Sequence, residues 1–153
     1  MFQKILLATD GSKGALTAAE AAADLTKRYA AELTVLYVNS LPVELTPYMV
    51  PAELPIMPDA FLQYSEEMKK EAVRRTEQVL TTAGVKYSLR YEVGHAAEWI
   101  VRIAKEDNFD VIVVGNRGLT GLGSFFLGSV SNRVCDYAPC TVLVVKEKEE
   151  DPD

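Results

Sequence analysis

Apolar positions in this chain fall into short dense blocks separated by longer amphipathic stretches. Lys4 to Thr9 (KILLAT) is a compact apolar run that meets the turn Asp10-Gly11-Ser12. The alanine-rich stretch Gly14 to Tyr29 then sets Leu16, Ala19, Ala23 and Leu25 near helical spacing. Glu32 to Val38 (ELTVLYV) is β-branched and aromatic, which predicts a strand. Ala60 to Ala83 predicts the longest helix, with Glu66, Glu67, Lys69, Lys70, Glu71, Arg74 and Arg75 on its wet face and Gly84 at its stop. Val85 to Val93 (VKYSLRYEV) alternates apolar and polar, as a half-exposed edge strand does. After Gly94, His95 to Asp107 predicts a helix with Trp99, Ile100 and Ile103 on its inner side. Asp110 to Val114, Ser129 to Tyr137 and Thr141 to Val145 complete the series as strand, helix and strand. Strands joined by helical crossovers imply an α/β protein with one parallel sheet covered on both faces. There is no internal repeat.

Two segments break the alternation. Residues 39–58 carry Pro42, Pro47, Pro51, Pro55 and Pro58 of the seven prolines, predicting an irregular excursion that forms neither helix nor ladder. The end of the chain is acidic, so residues 1–146 are expected to form the domain and 147–153 a flexible tail. At 153 residues and 48% apolar against 25% charged, the chain suits one globular domain. The net charge of −6 and the lack of a basic stripe argue against nucleic acid as a partner. No apolar run approaches a membrane span, and Ile5 to Ala8 is too short for a signal core, so no membrane partner and a cytoplasmic location are expected. Cys135 and Cys140 have no second pair or histidine cluster beside them; buried thiols are expected ahead of a zinc site.

The chemistry concentrates between Val111 and Ser131, VIVVGNRGLTGLGSFFLGSVS. A buried strand that ends in glycines and leads into a helix presents backbone N–H groups to a phosphate. Gly128-Ser129 opens the last helix, where unpaired N–H groups and a hydroxyl would meet an anion, although Ser129 also suits a plain cap. In an open parallel sheet the ligand crevice lies where strand order reverses. With the order 3-2-1-4-5, that crevice is flanked by Thr9-Asp10-Gly11-Ser12 and by the glycine segment. Asp10 could hold a divalent cation bridging phosphates or form a local Asx-turn, and Ser12 is equally divided between ligand and cap. Arg117 is the one base between Val111 and Asn132, facing either phosphate or solvent. Val38 ends the second strand beside the crevice, where its backbone can read a purine edge. For His95, capping or exposure outranks catalysis, since no nucleophile accompanies it in sequence. The Walker A pattern fails because Ser129 stands where its lysine should be, and the Rossmann glycine pattern is missing after the first strand.

The spacing Gly115-x2-Gly118-x9-Gly128-Ser129 resembles the nucleotide-binding signature of the universal stress protein family. The opening KILLATDGS and the closing SNRVCDYAPCTVLVV resemble that family's first and last segments, so the likeness spans the whole chain. The resemblance implies an open five-stranded parallel sheet of order 3-2-1-4-5, Rossmann-like and akin to the adenine nucleotide alpha hydrolases. It implies a nucleotide held by Ala8, Thr9, Asp10, Ser12, Val38, Gly115, Arg117, Gly118, Gly128, Ser129, Val130 and Ser131. ATP is the implied ligand, with Mg²⁺ or Mn²⁺ at Asp10 and the phosphates. A homodimer through Thr141 to Val145 is implied as well. Asn116-Arg117 falls where the family varies, and Thr141 stands where a proline often follows the cysteine.

The sequence therefore points to an ATP-binding stress-response switch or adaptor with unknown protein partners. No base, nucleophile or lysine suited to fast phosphoryl transfer is present, so at most slow metal-dependent hydrolysis is expected. The alternatives are a dimeric module with an empty or AMP-filled site, a slow ATP hydrolase, and an adenylate-forming enzyme. The last is disfavoured by the loop Thr9-Asp10-Gly11-Ser12.

Overall fold

The structure, a computed structural model, describes residues 1–40, 59–116 and 127–147. In chain order the elements are β1 (Lys4–Thr9), α1 (Lys13–Tyr29), β2 (Glu32–Asn39), α2 (Asp59–Ala83), β3 (Ser88–Val93), α3 (Ala96–Glu106), β4 (Val111–Gly115), α4 (Ser129–Tyr137) and β5 (Thr141–Val145). All five strands are parallel, in the order β3-β2-β1-β4-β5. The expected α/β architecture is the one observed.

Side-chain alternation along the central strands builds two cores. Ile5, Leu7, Leu33, Val35, Val111 and Val113 face α1 and α2, packing on Ala18, Ala22 and Leu80. Leu6, Leu36, Ile112 and Val114 face the other way, onto Ile100 and Ile103 of α3 and Val134 of α4. Both faces are covered, which is why these strands read as unbroken apolar runs. The alanines of α1 let that helix lie close to the sheet, and Ser12 caps it by accepting from the Ala15 N–H at 3.3 Å.

Boundaries differ from the sequence reading where tertiary bonds intervene. β3 begins at Ser88 rather than Val85, because residues 85–87 still serve the exit from α2. There the Val85 N–H donates to the Leu80 carbonyl at 3.2 Å, and the Tyr87 hydroxyl donates to Glu77 at 2.9 Å. β2 extends to Asn39, which pairs with Val93 and accepts the Gly94 N–H at 3.0 Å. Trp99 and the two cysteines are less buried than expected, whereas His95 is exposed, as expected. Trp99 is only partly covered: its indole N–H donates to the Val93 carbonyl at 2.8 Å and the Arg102 guanidinium lies 4.9 Å from its ring. His95 holds the N-cap position of α3 without making a cap bond and is exposed. Cys135 is exposed, since α4 turns only Ser131 and Val134 inward, and Cys140, beyond that helix, is half-buried. Burial pushes the Cys140 thiol up.

Among the described residues no helix is long and apolar enough to cross a membrane. The proline-rich excursion lies almost wholly in residues 41–58, outside the described residues, as do residues 148–153 of the acidic tail.

Candidate functional site

The carboxyl ends of β1 and β4 are adjacent in the sheet, with Ile5, Leu6 and Leu7 paired to Val111, Ile112 and Val113. The two loops that leave them are therefore neighbours, as the order 3-2-1-4-5 requires. The turn after β1 is tightly built. The Thr9 hydroxyl is buried, lies 2.8 Å from the Thr76 hydroxyl of α2 and accepts the Gly11 N–H at 3.2 Å. Asp10 accepts the Ser12 N–H at 2.9 Å, closing an Asx-turn. Gly11 adopts φ +75, and a Cβ there would fall 2.5 Å from the Ala72 Cα. Packing and backbone angle both require glycine at this position. Hence α2 fixes the turn, and the Thr9 side chain is committed to structure while Asp10 stays half-buried at the crevice.

Gly115 ends β4 against the first turn of α1. A Cβ on it would lie 2.7 Å from the Gly14 carbonyl carbon and 3.1 Å from the Ala15 nitrogen. Its lack of a side chain is thus explained by strand–helix contact. Arg117 and Gly118, both expected in the site, lie outside the described residues.

The far end of the glycine segment returns to the same place. The Gly128 N–H donates to the Asn116 carbonyl at 2.7 Å, and the Ser131 hydroxyl lies 3.1 Å from both the Asn116 and Gly128 carbonyls. The Asn116 N–H donates to the Val145 carbonyl at 3.0 Å, tying the strand end to β5. Gly128, and not Ser129, is the N-cap of α4, and having no side chain it makes no side-chain cap bond. Its first-turn N–H groups and the positive end of its dipole are thus available to an anion. Ser129 and Val130 are exposed there, whereas Ser131 is buried and serves to hold the turn.

On the α3 side of the sheet, Ala8 and Val38 are partly buried against the core. The register Thr9 to Tyr37 sets Val38 level with Asp10 on the neighbouring strand. A flat apolar group could lie there, with backbone polar groups at its edge. Tyr37 alternates to the other face and packs on Ala72 and Val73; burial raises its phenol pKa, helped by Asp10, Glu66 and Tyr64. Among the described residues no group of three or more His, Cys, Asp or Glu could hold a metal ion unaided. A cation at Asp10 would need ligand oxygens besides the protein's.

Sequence reasoning did not single out Asn116 or Thr76. Thr76 was legible in principle, since Ala72, Thr76 and Leu80 recur at helical spacing on the buried side of α2. Asn116 is only 4% exposed, with its side-chain carbonyl oxygen unpartnered among the described residues. The only hint in sequence was a polar residue closing an apolar strand.

Comparison with known proteins gives a consistent picture. The model of the universal stress protein family matches residues 1–146. A universal stress protein of Bacillus subtilis, YxiE, is 37% identical over 150 residues, covering 95% of this chain and all of the relative. The solved structure of universal stress protein UspA from Lactobacillus plantarum superposes with a TM-score of 0.74 at 27% identity, over 94% of this chain and 97% of that one. A universal stress protein solved in complex with cAMP superposes with a TM-score of 0.69 at 25% identity, over 94% and 97%.

Proposed function

Since the chain belongs to the universal stress protein family, we propose that the crevice beyond β1 and β4 binds an adenine nucleotide, and that this cytoplasmic protein works as a nucleotide-dependent switch in stress response. The observation that carries the reading is the start of α4, where the N-cap is a glycine without a side chain to cap the helix, tied through Asn116 to the end of β4 beside the β1 turn. Helix N-terminal N–H groups aimed into such a crevice suit a phosphate without a P-loop lysine.

In this reading Ala8 and Val38 form the apolar wall for adenine, with the Val38 backbone at its edge. Gly115, Arg117 and Gly118 line one side of the phosphates, and Gly128, Ser129 and Val130 supply donors from the other. Ser131 positions those donors, and Thr9 and Ser12 set the turn that presents Asp10. With ATP bound, Asp10 would be the residue to hold Mg²⁺ or Mn²⁺, with further oxygen ligands supplied by the nucleotide. The metal would neutralise phosphate charge there. Holding the nucleotide is favoured over turning it over, because the described crevice offers no base placed to activate water. A second reading, a site filled by a nucleotide with one phosphate, is favoured by the cAMP complex of a neighbour at 25% identity. Dimerisation through β5 joins the proposal, since Leu143 stands 37% exposed on that edge strand.

The test is the identity and fate of the ligand. Mass spectrometry of small molecules released from the purified protein is expected to find ATP, with phosphate release slower than about one per minute, well below the ~1 s⁻¹ lower end of enzyme turnover. AMP or cAMP instead would favour the second reading. Gly118→Val is expected to lose the ligand while keeping the far-UV circular dichroism of the parent; unchanged affinity would contradict the loop's assignment.

A further inference from the structure

The sheet has a second open edge. β3 is the outer strand opposite β5, and among the described residues no strand pairs with its outward side, where the Trp99 indole N–H reaches only the Val93 carbonyl, at 2.8 Å. The Gly94 N–H points inward, donating to the Asn39 carbonyl. Backbone direction alternates along a strand, so Leu89, Tyr91 and Val93 direct their N–H and C=O groups outward. Those three residues also carry the strand's apolar side chains, and they are 36%, 46% and 58% exposed. Arg90 and Glu92 lie on the other face, 3.0 Å apart, with Arg90 also 2.7 Å from Asp107. No proline, lysine or bulge blunts this edge, although natural sheets commonly blunt theirs.

We propose that the β3 edge binds a second copy of this chain, strand against strand, antiparallel, in the register centred on Tyr91. The sequence Leu89-Arg90-Tyr91-Glu92-Val93 is complementary to itself under that two-fold. Tyr91 meets the partner subunit's Tyr91, and Leu89 meets the partner subunit's Val93. At these positions the outward groups exchange hydrogen bonds, both ways between the two tyrosines and from the Val93 N–H to the carbonyl of Leu89 of the partner subunit, the Val93 carbonyl being held by Trp99. Arg90 meets the partner subunit's Glu92, and Glu92 meets the partner subunit's Arg90. Those fall at the non-hydrogen-bonded positions, where opposing side chains come closest. A shift of the register by two residues along the strand sets Arg90 against its own symmetry mate and loses the match. Lys69, whose ammonium lies 5.1 Å from the Tyr91 ring, covers the aromatic pair from α2. The two five-stranded sheets become one sheet continuous across the interface.

Sedimentation velocity on the full chain tests this. Leu143→Lys charges the β5 edge and leaves β3 as the available one. A concentration-dependent dimer that weakens at high salt is expected in that variant. Arg90→Glu added to it sets like charges opposite each other twice, and dimer affinity is expected to fall about tenfold or more. The double exchange Arg90→Glu with Glu92→Arg restores opposite charges in every pair, and the association is expected to return. That rescue also separates charge matching from the lost Arg90–Asp107 contact, which both variants share. A Leu143→Lys protein that stays monomeric at all concentrations would overturn the proposal. So would an Arg90→Glu variant that associates unchanged, or a double exchange without rescue.

Discussion

Gly115 shows how a residue can be special for a structural reason that the local sequence does not carry. Glycine spacing suggested a backbone that lets a ligand approach, whereas the space a Cβ would take is filled by the backbone of Gly14, 2.7 Å away. That contact joins residues far apart in sequence and leaves no local trace. Since both sides are backbone, little can yield, and Gly115→Ala is expected to cost ~1–3 kcal/mol by overpacking. Urea unfolding measures it; an unchanged midpoint would show that glycine is needed there only for the ligand. Asp10 and Ser12 were more legible, because an Asx-turn and a helix cap are local devices. Asn116 was not, because its importance lies in main-chain bonds to Gly128 and Val145 that any residue type could make.

At the scale of elements, the alternation of strand and helix was plain because buried strands and amphipathic helices differ in period. Element ends were less plain, since they answer to bonds with other elements. The start of β3 and the end of β2 both moved for that reason. The amino end of the sheet offers a test of such a bond. The Asp110 carboxylate accepts the Gln3 N–H at 2.8 Å and the Lys4 N–H at 2.9 Å, fastening the start of β1 to the start of β4. The Lys4 bond, followed by that of Gln3, holds the Asp110 pKa below its ordinary value. A carboxylate with a depressed folded-state pKa stabilises the fold above its unfolded value and loses that contribution as pH falls through the folded one. Asp110→Ala is therefore expected to melt at a lower temperature than the parent at pH 7. The two should converge only as pH falls through the depressed folded-state pKa, where the carboxyl becomes protonated in both states. A gap that persists unchanged at low pH would show that the ionised bonds are not its source.

For the whole molecule, helical crossovers implied a parallel sheet, but strand order came from family likeness; hydrophobic pattern alone is blind to it. The observed order β3-β2-β1-β4-β5 places the β1 and β4 loops side by side and leaves an open strand at each side of the sheet. Leu143→Lys is expected to shift the sedimentation profile toward smaller species by setting a charge in the middle of β5. An unaltered profile would count against that edge as an interface. Asn116 bonds both the start of α4 and the end of β5, so the proposed site and the β5 edge share a residue. All of this rests on the crevice holding a nucleotide. Isothermal titration of the purified, ligand-stripped chain with ATP and Mg²⁺ tests it most directly. One nucleotide bound per chain is the predicted result, and no binding of ATP, nor of AMP or cAMP in parallel titrations, would contradict the account.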